Sequence, residues 1–169
     1  MLSGCYSFDE AWKTDKPINK RKLSSLQLGD VVVTEKNWKN PMSWFGHSAI
    51  VINKDRVGEY PRPFAGYYEI KTNLWLKDKE NDFTVMRYKK FDNQFKSQFI
   101  KNLNKSKFQN YCFSEKETPS TFYCSKHIWY LYWRTAKDLG YELDIDLTDD
   151  YFVTPYDLMN SKYFYKIEL

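Results

Sequence analysis

Five side chains in this 169-residue chain are suited to nucleophilic or metal chemistry: Cys5, Cys112, Cys124, His47 and His127. Three cysteines with no Cys-x-x-Cys pair and only two histidines do not form a zinc-ligand pattern. A domain large enough to build its own core has little need of a disulfide framework. No Gly-rich phosphate loop is present, so neither a metal nor a nucleotide cofactor is expected. What remains is a thiol with an imidazole, the pairing of a cysteine nucleophile and its base. Cys124 falls in the first turn of a helix expected over 121–139, behind the start signal Thr118-Pro119-Ser120-Thr121. Unpaired N–H groups and the positive end of the helix dipole favour an anion there, and the thiolate is the reactive form. Position alone favours a small buried hydrophobe, which is what most free cysteines are. Two imidazoles compete as base. His47 opens an apolar run beside a Trp-containing loop, where its ring can face a cleft. His127 stands three residues after Cys124 on the same helix.

Several strands and helices must position these groups. Leu26-Gln27-Leu28-Gly29-Asp30 turns into the β-branched run Val31-Val32-Val33-Thr34. Residues 37–46 read as a loop, and His47-Ser48-Ala49-Ile50-Val51-Ile52 reads as a buried strand. Further strands are expected at Arg56–Tyr60, stopped by Pro61 and Pro63, and at Tyr67–Lys71 and Phe83–Tyr88. The second half turns helical. Asn93–Leu103 carries apolar residues at 95, 99, 100 and 103, and Gly140 is a natural stop for the helix of Cys124. Thr154-Pro155-Tyr156-Asp157 has the hydroxyl, proline and acid of a helix start, and 163–167 resumes as a strand. This is an α+β pattern in one domain, 23–169, preceded by a polar, Lys-rich arm over 1–22.

Gly29-Asp30-Val31-Val32, Gly46-His47-Ser48-Ala49-Ile50-Val51, Glu59, Phe122-Tyr123-Cys124-Ser125-Lys126 and Thr154-Pro155-Tyr156-Asp157-Leu158 occur in the order seen in YiiX-like proteins. Over 26 to about 160 the chain resembles this family of NlpC-type cysteine hydrolases. The resemblance implies a circularly permuted papain-like fold, in which an antiparallel, barrel-like sheet packs against the helix bearing the nucleophile. Its His strand precedes its Cys helix, the reverse of papain. It also implies that Cys124 is the nucleophile, His47 its base and Glu59 the acid orienting the imidazole. Tyr111 and Tyr123 would lie near substrate. Cys112 stands where the family more often carries an acid. The implied activity is hydrolysis of an amide in a peptide or amino-acyl substrate, including cell-wall peptide. Acyl transfer or lipid acyl hydrolysis of the lecithin retinol acyltransferase type is an alternative, as is a non-catalytic binding module.

Net charge is +4, from 26 basic and 22 acidic residues that are interleaved, so no nucleic-acid footprint forms and no nucleic-acid partner is expected. The aromatic share of 19% is high, and Tyr and Trp suit both a core and a wet groove. Leu2-Ser3-Gly4-Cys5 resembles the lipobox that precedes a lipidated cysteine, although four residues cannot supply the basic and apolar segments of a signal. The expectation is a start inside a longer precursor, with lipid on Cys5 tethering the domain to a bacterial envelope. Without such a signal the expected location is the cytoplasm.

Overall fold

The computed structural model describes residues 23–34, 46–78, 83–146, 148 and 151–169. Cys5, the arm and most of the 37–46 loop lie outside them. Eight strands form: β1 (Val31–Thr34), β2 (His47–Asn53), β3 (Arg56–Glu59), β4 (Tyr68–Lys71), β5 (Phe83–Tyr88), β6 (Asn110–Tyr111), β7 (Thr121–Phe122) and β8 (Phe164–Ile167). Among the described residues four α-helices accompany them: α1 (Thr72–Asp78), α2 (Asn93–Ser106), α3 (Cys124–Asp138) and α4 (Pro155–Asn160). Six strands make one antiparallel sheet in the order β4-β3-β2-β1-β5-β8, while β6 and β7 pair in parallel apart from it.

The alternation of β1 shows how the sheet is buried on both faces. Val31 and Val33 face one apolar cluster with Ile50, Phe95, Phe99, Leu131 and Tyr132, so α2 and α3 cover that side. Val32 points the other way, with Ala49, Val51, Val57, Trp75 and Leu76, so α1 covers the second side. A strand with both faces covered reads as a continuous apolar run rather than an alternating one. The sheet is open rather than barrel-like, because β4 and β8 end the order without pairing to each other.

The Gly29-Asp30 motif latches this arrangement. Gly29 takes φ +89°, and its N–H donates to the Val51 carbonyl at 2.9 Å. Its own carbonyl accepts the Tyr132 hydroxyl of α3 at 2.5 Å. Asp30, fully buried, takes two bonds from Arg87 of β5 at 2.8 and 2.7 Å and one from the Gln27 N–H at 2.8 Å. Strands β1, β2 and β5 and helix α3 are thereby tied at one corner.

Local signals explain two helices. Asp92 caps α2 by accepting the Phe95 N–H at 2.8 Å, and Phe95, Phe99 and Leu103 form the buried stripe. At α4, Thr154 and Asp157 satisfy each other's backbone N–H in a capping box with Pro155 just inside. The start of α3 differs from expectation. Thr121 and Phe122 pair with Asn110 and Tyr111, so the backbone stays extended to Tyr123 and the helix begins at Cys124. No described helix is long and apolar enough to cross a membrane.

Candidate active site

The late start of α3 makes Cys124 its first residue, behind Tyr123, whose side chain does not cap the helix. The sulfur sits at the free N–H end of a 15-residue helix, on a residue that is partly exposed as a whole. Strand β2 begins opposite it. Gly46, with φ +75°, turns the chain into β2, and a Cβ there would fall 2.8 Å from the Thr34 carbonyl oxygen. That glycine delivers His47 to the mouth of the sheet, where its imidazole couples electrostatically to the Cys124 thiol.

Glu59, at the end of β3 and almost fully buried, lies behind the imidazole, with Oε2 2.5 Å from His47 Nε2. Nδ1 is therefore the nitrogen left for the sulfur. Trp75 of α1 donates its indole N–H to the same Oε2 at 2.6 Å, and its ring centroid lies 6.1 Å from that of His47. The carboxylate is fixed by two donors from different elements, and it fixes the ring in turn.

The electrostatics follow from this geometry. Burial opposes charge on His47, but the Cys124 charge and hydrogen bond, and then those of Glu59, raise its pKa to about 9. Burial alone would push the Cys124 thiol up. The imidazolium charge and hydrogen bond of His47, with the Ser48 N–H and hydroxyl, bring it below its ordinary value. The pair favours thiolate with imidazolium, a coupled state belonging to both groups.

His127 is not part of this arrangement. Its ring is caged by Tyr60, Tyr67 and Phe122 at centroid distances of 4.9, 5.6 and 5.3 Å. The Ser106 hydroxyl donates to the Leu103 carbonyl at 2.9 Å, so its lone pairs accept the His127 Nε2–H at 2.8 Å. Burial lowers the His127 pKa to about 3, and it stays neutral. Its neighbours on α3 also grip other segments. Ser125 donates to the Val153 carbonyl at 2.7 Å, and Lys126 bonds Ser114 Oγ at 2.5 Å and the Thr118 carbonyl at 2.7 Å.

Of the two tyrosines expected near substrate, Tyr111 on β6 is half-buried, and its hydroxyl pKa is raised by burial and then by the Cys124 charge. Tyr123 is buried, and its hydroxyl accepts the Val153 N–H at 2.9 Å, which makes it a clamp between segments. Beside them, Phe113, Tyr151 and Phe152 are 62%, 73% and 50% exposed. They are tied to this end of α3 through the Tyr111–Phe113 and Phe113–Tyr123 ring contacts, at 5.8 and 4.9 Å, and the Lys116 N–H to Tyr151 carbonyl bond, at 3.0 Å. Cys112 is exposed. Among the described residues, no three His, Cys, Asp or Glu side chains gather as a metal site. Sequence reasoning missed Trp75, whose only local signal is an indole between two leucines.

These elements define an α+β protein with helices on both faces of an antiparallel sheet. Its fold is similar to that of the metalloprotein yiiX from Escherichia coli O157:H7, with a TM-score of 0.58 at 14% identity over 84% of this chain and 96% of that one. No family model matches the chain, and no curated protein does.

Proposed function

We propose that this chain is a cysteine hydrolase of circularly permuted papain-like (NlpC-type) design that cleaves an amide in a peptide or amino-acyl substrate. The observation that carries this reading is a cysteine at a helix start, electrostatically coupled to an imidazole that a buried carboxylate holds from behind. The chain order of base, acid and nucleophile supports the permuted arrangement.

In the proposed cycle the Cys124 thiolate attacks the carbonyl carbon and a C–S bond forms. The carbonyl oxygen takes the negative charge at the uncapped start of α3, where the Cys124 N–H is a donor. The His47 imidazolium gives its proton to the leaving nitrogen as the C–N bond breaks. His47, now neutral, takes a proton from water, whose oxygen attacks the thioester. The C–S bond breaks and the thiolate–imidazolium pair returns. Glu59 and Trp75 hold the ring throughout.

Limited iodoacetamide near pH 6, read peptide by peptide, tests the site. Cys124 is expected to label well before Cys112, and His47→Ala to slow it more than His127→Ala does. Equal labelling of both cysteines, unmoved by either substitution, would overturn the reading.

A second reading, acyl transfer from or hydrolysis of a lipid, is favoured by one observation, the exposed aromatics Phe113, Tyr151 and Phe152 beside the Cys124 end of α3. Mass-spectrometric trapping of the thioester separates the two. An acyl-enzyme from amino-acyl amides supports the first; one formed only from fatty-acyl esters supports the second.

A further inference from the structure

Phe64 and Phe108 are the two most exposed large apolar side chains among the described residues, at 105% and 88%. They stand on neighbouring segments. The Tyr60 hydroxyl donates to the Ser106 carbonyl, and Lys107 lies over the Tyr67 ring at 5.4 Å and pairs with Glu69 at 2.7 Å. A Cβ on Gly66 would fall 3.8 Å from the Gln109 carbonyl oxygen. The 60–69 stretch is thus laid against the 106–109 stretch, and each carries one uncovered ring.

Packing accounts for neither ring. The Ala65 N–H donates to the Arg62 carbonyl at 3.2 Å, closing a turn with Pro63 second and Phe64 third. Phe64 takes φ +66°, the only positive φ at a non-glycine residue among those described. A turn with proline second and a positive φ third ordinarily has Gly or Asn there. Phe therefore strains the backbone and exposes a whole ring where Gly would do neither. Phe108 lies in the turn after α2 and belongs to neither buried cluster. Single exposed apolar residues are ordinary, but two on adjoining turns rimmed by polar groups mark an interaction surface.

Charge decides what this surface fits. Helix α2 carries Lys96, Lys101 and Lys105 and no acid, and Lys101, Lys105 and Phe108 follow one another at helical spacing. Arg62 is exposed in the turn of Phe64, while Glu69 is taken up by Lys107. A stable protein partner needs a complementary surface of about 1,000 Å². Two rings projecting from turns can instead sink separately into a fluid interface while the cations meet headgroups.

We propose that Phe64 and Phe108, with Arg62, Lys101 and Lys105, form a docking surface for an anionic lipid bilayer. The proposal is separate from the chemistry of Cys124 and stands or falls without it.

Sedimentation of the full chain with vesicles of phosphatidylcholine containing phosphatidylglycerol, against phosphatidylcholine alone, tests it. Binding is expected to the anionic vesicles and to weaken as salt is raised. Phe64→Gly suits the turn, so it is expected to keep or raise the thermal unfolding midpoint while weakening vesicle binding about tenfold. Phe108→Ser is expected to weaken binding about tenfold as well, and Lys105→Gln about fivefold. Binding that survives Phe64→Gly and Phe108→Ser together is held by another part of the chain and overturns the proposal. Equal binding to both kinds of vesicle overturns it too. So does a dimer in lipid-free solution that the two substitutions dissociate, which would assign the surface to a second copy. Should Phe108→Ser not fold, Phe64→Gly alone decides.

Discussion

Cys124→Ala removes the sulfur from the His47 ring and leaves Glu59, Trp75 and the burial of the ring in place. The contributions of Cys124 to the His47 pKa exceed those of Glu59. Loss of an adjacent opposite charge shifts a pKa by about 1–3 units, or about 1.4–4 kcal/mol. The His47 midpoint is therefore expected to fall from about 9 to roughly 6–8. Glu59→Gln, which keeps an oxygen for the two donors, is expected to lower it less. The assay is NMR titration of the imidazole C2–H. Only two histidines exist, and His127, at about 3, stays silent across the range. Global stability is the poorer readout. The raised His47 pKa contributes stability below 6.5 that is lost as pH rises through about 9. The depressed Cys124 pKa contributes stability above 9.0 that is lost as pH falls through the folded value, so the two slopes oppose between 6.5 and 9. A His47 midpoint that stays near 9 in Cys124→Ala, or that Glu59→Gln moves further, would refute the reasoning.

Trp75→Phe keeps a ring against His47 but removes a hydrogen bond to a carboxylate, so urea unfolding should show a loss of about 1.5–3 kcal/mol and Cys124 alkylation at neutral pH should slow. Unchanged alkylation would mean that Glu59 needs no second donor. Gly46→Ala places a Cβ at φ +75° and 2.8 Å from the Thr34 carbonyl oxygen; a loss of at least about 1–2 kcal/mol is expected by thermal unfolding. Asp30→Ala strands Arg87 and unties the corner of β1 and β5, with an expected cost of about 3–5 kcal/mol in urea.

What the sequence made legible was whatever a short stretch decides by itself. Strand β5 has its expected bounds, and the Thr154–Asp157 start of α4 is the capping box its residue types predict. The start of α3 was misread for the converse reason. Thr118–Thr121 carries the residue types of a cap, but β7 pairs with β6, eleven residues upstream in the chain, and that pairing is invisible to any local pattern. Helix α1 escaped because it follows β4 without a connecting loop and has no first-turn acid to announce it. Trp75 went with it. Cys124, His47 and Glu59 were legible through the order of their motifs, since nothing in the spacing of three residues across 78 positions dictates contact. The open sheet was not legible, because whether edge strands meet depends on twist accumulated over six strands.

The three residues that follow Cys124 on α3 each hold a different part of the molecule: Ser125 the chain before α4, Lys126 the 114–118 segment and His127 the end of α2. Three separate anchors on one helical turn define its rotation as well as its position. A slip of one residue would swing every anchor by about 100° and break all three attachments together. The register of the helix is thus locked by parts of the chain that do no chemistry, and the sulfur inherits its aim from them. Insertions that lengthen distant loops leave that aim untouched, whereas a single residue gained or lost between Tyr123 and His127 would disarm the site while sparing most of the core.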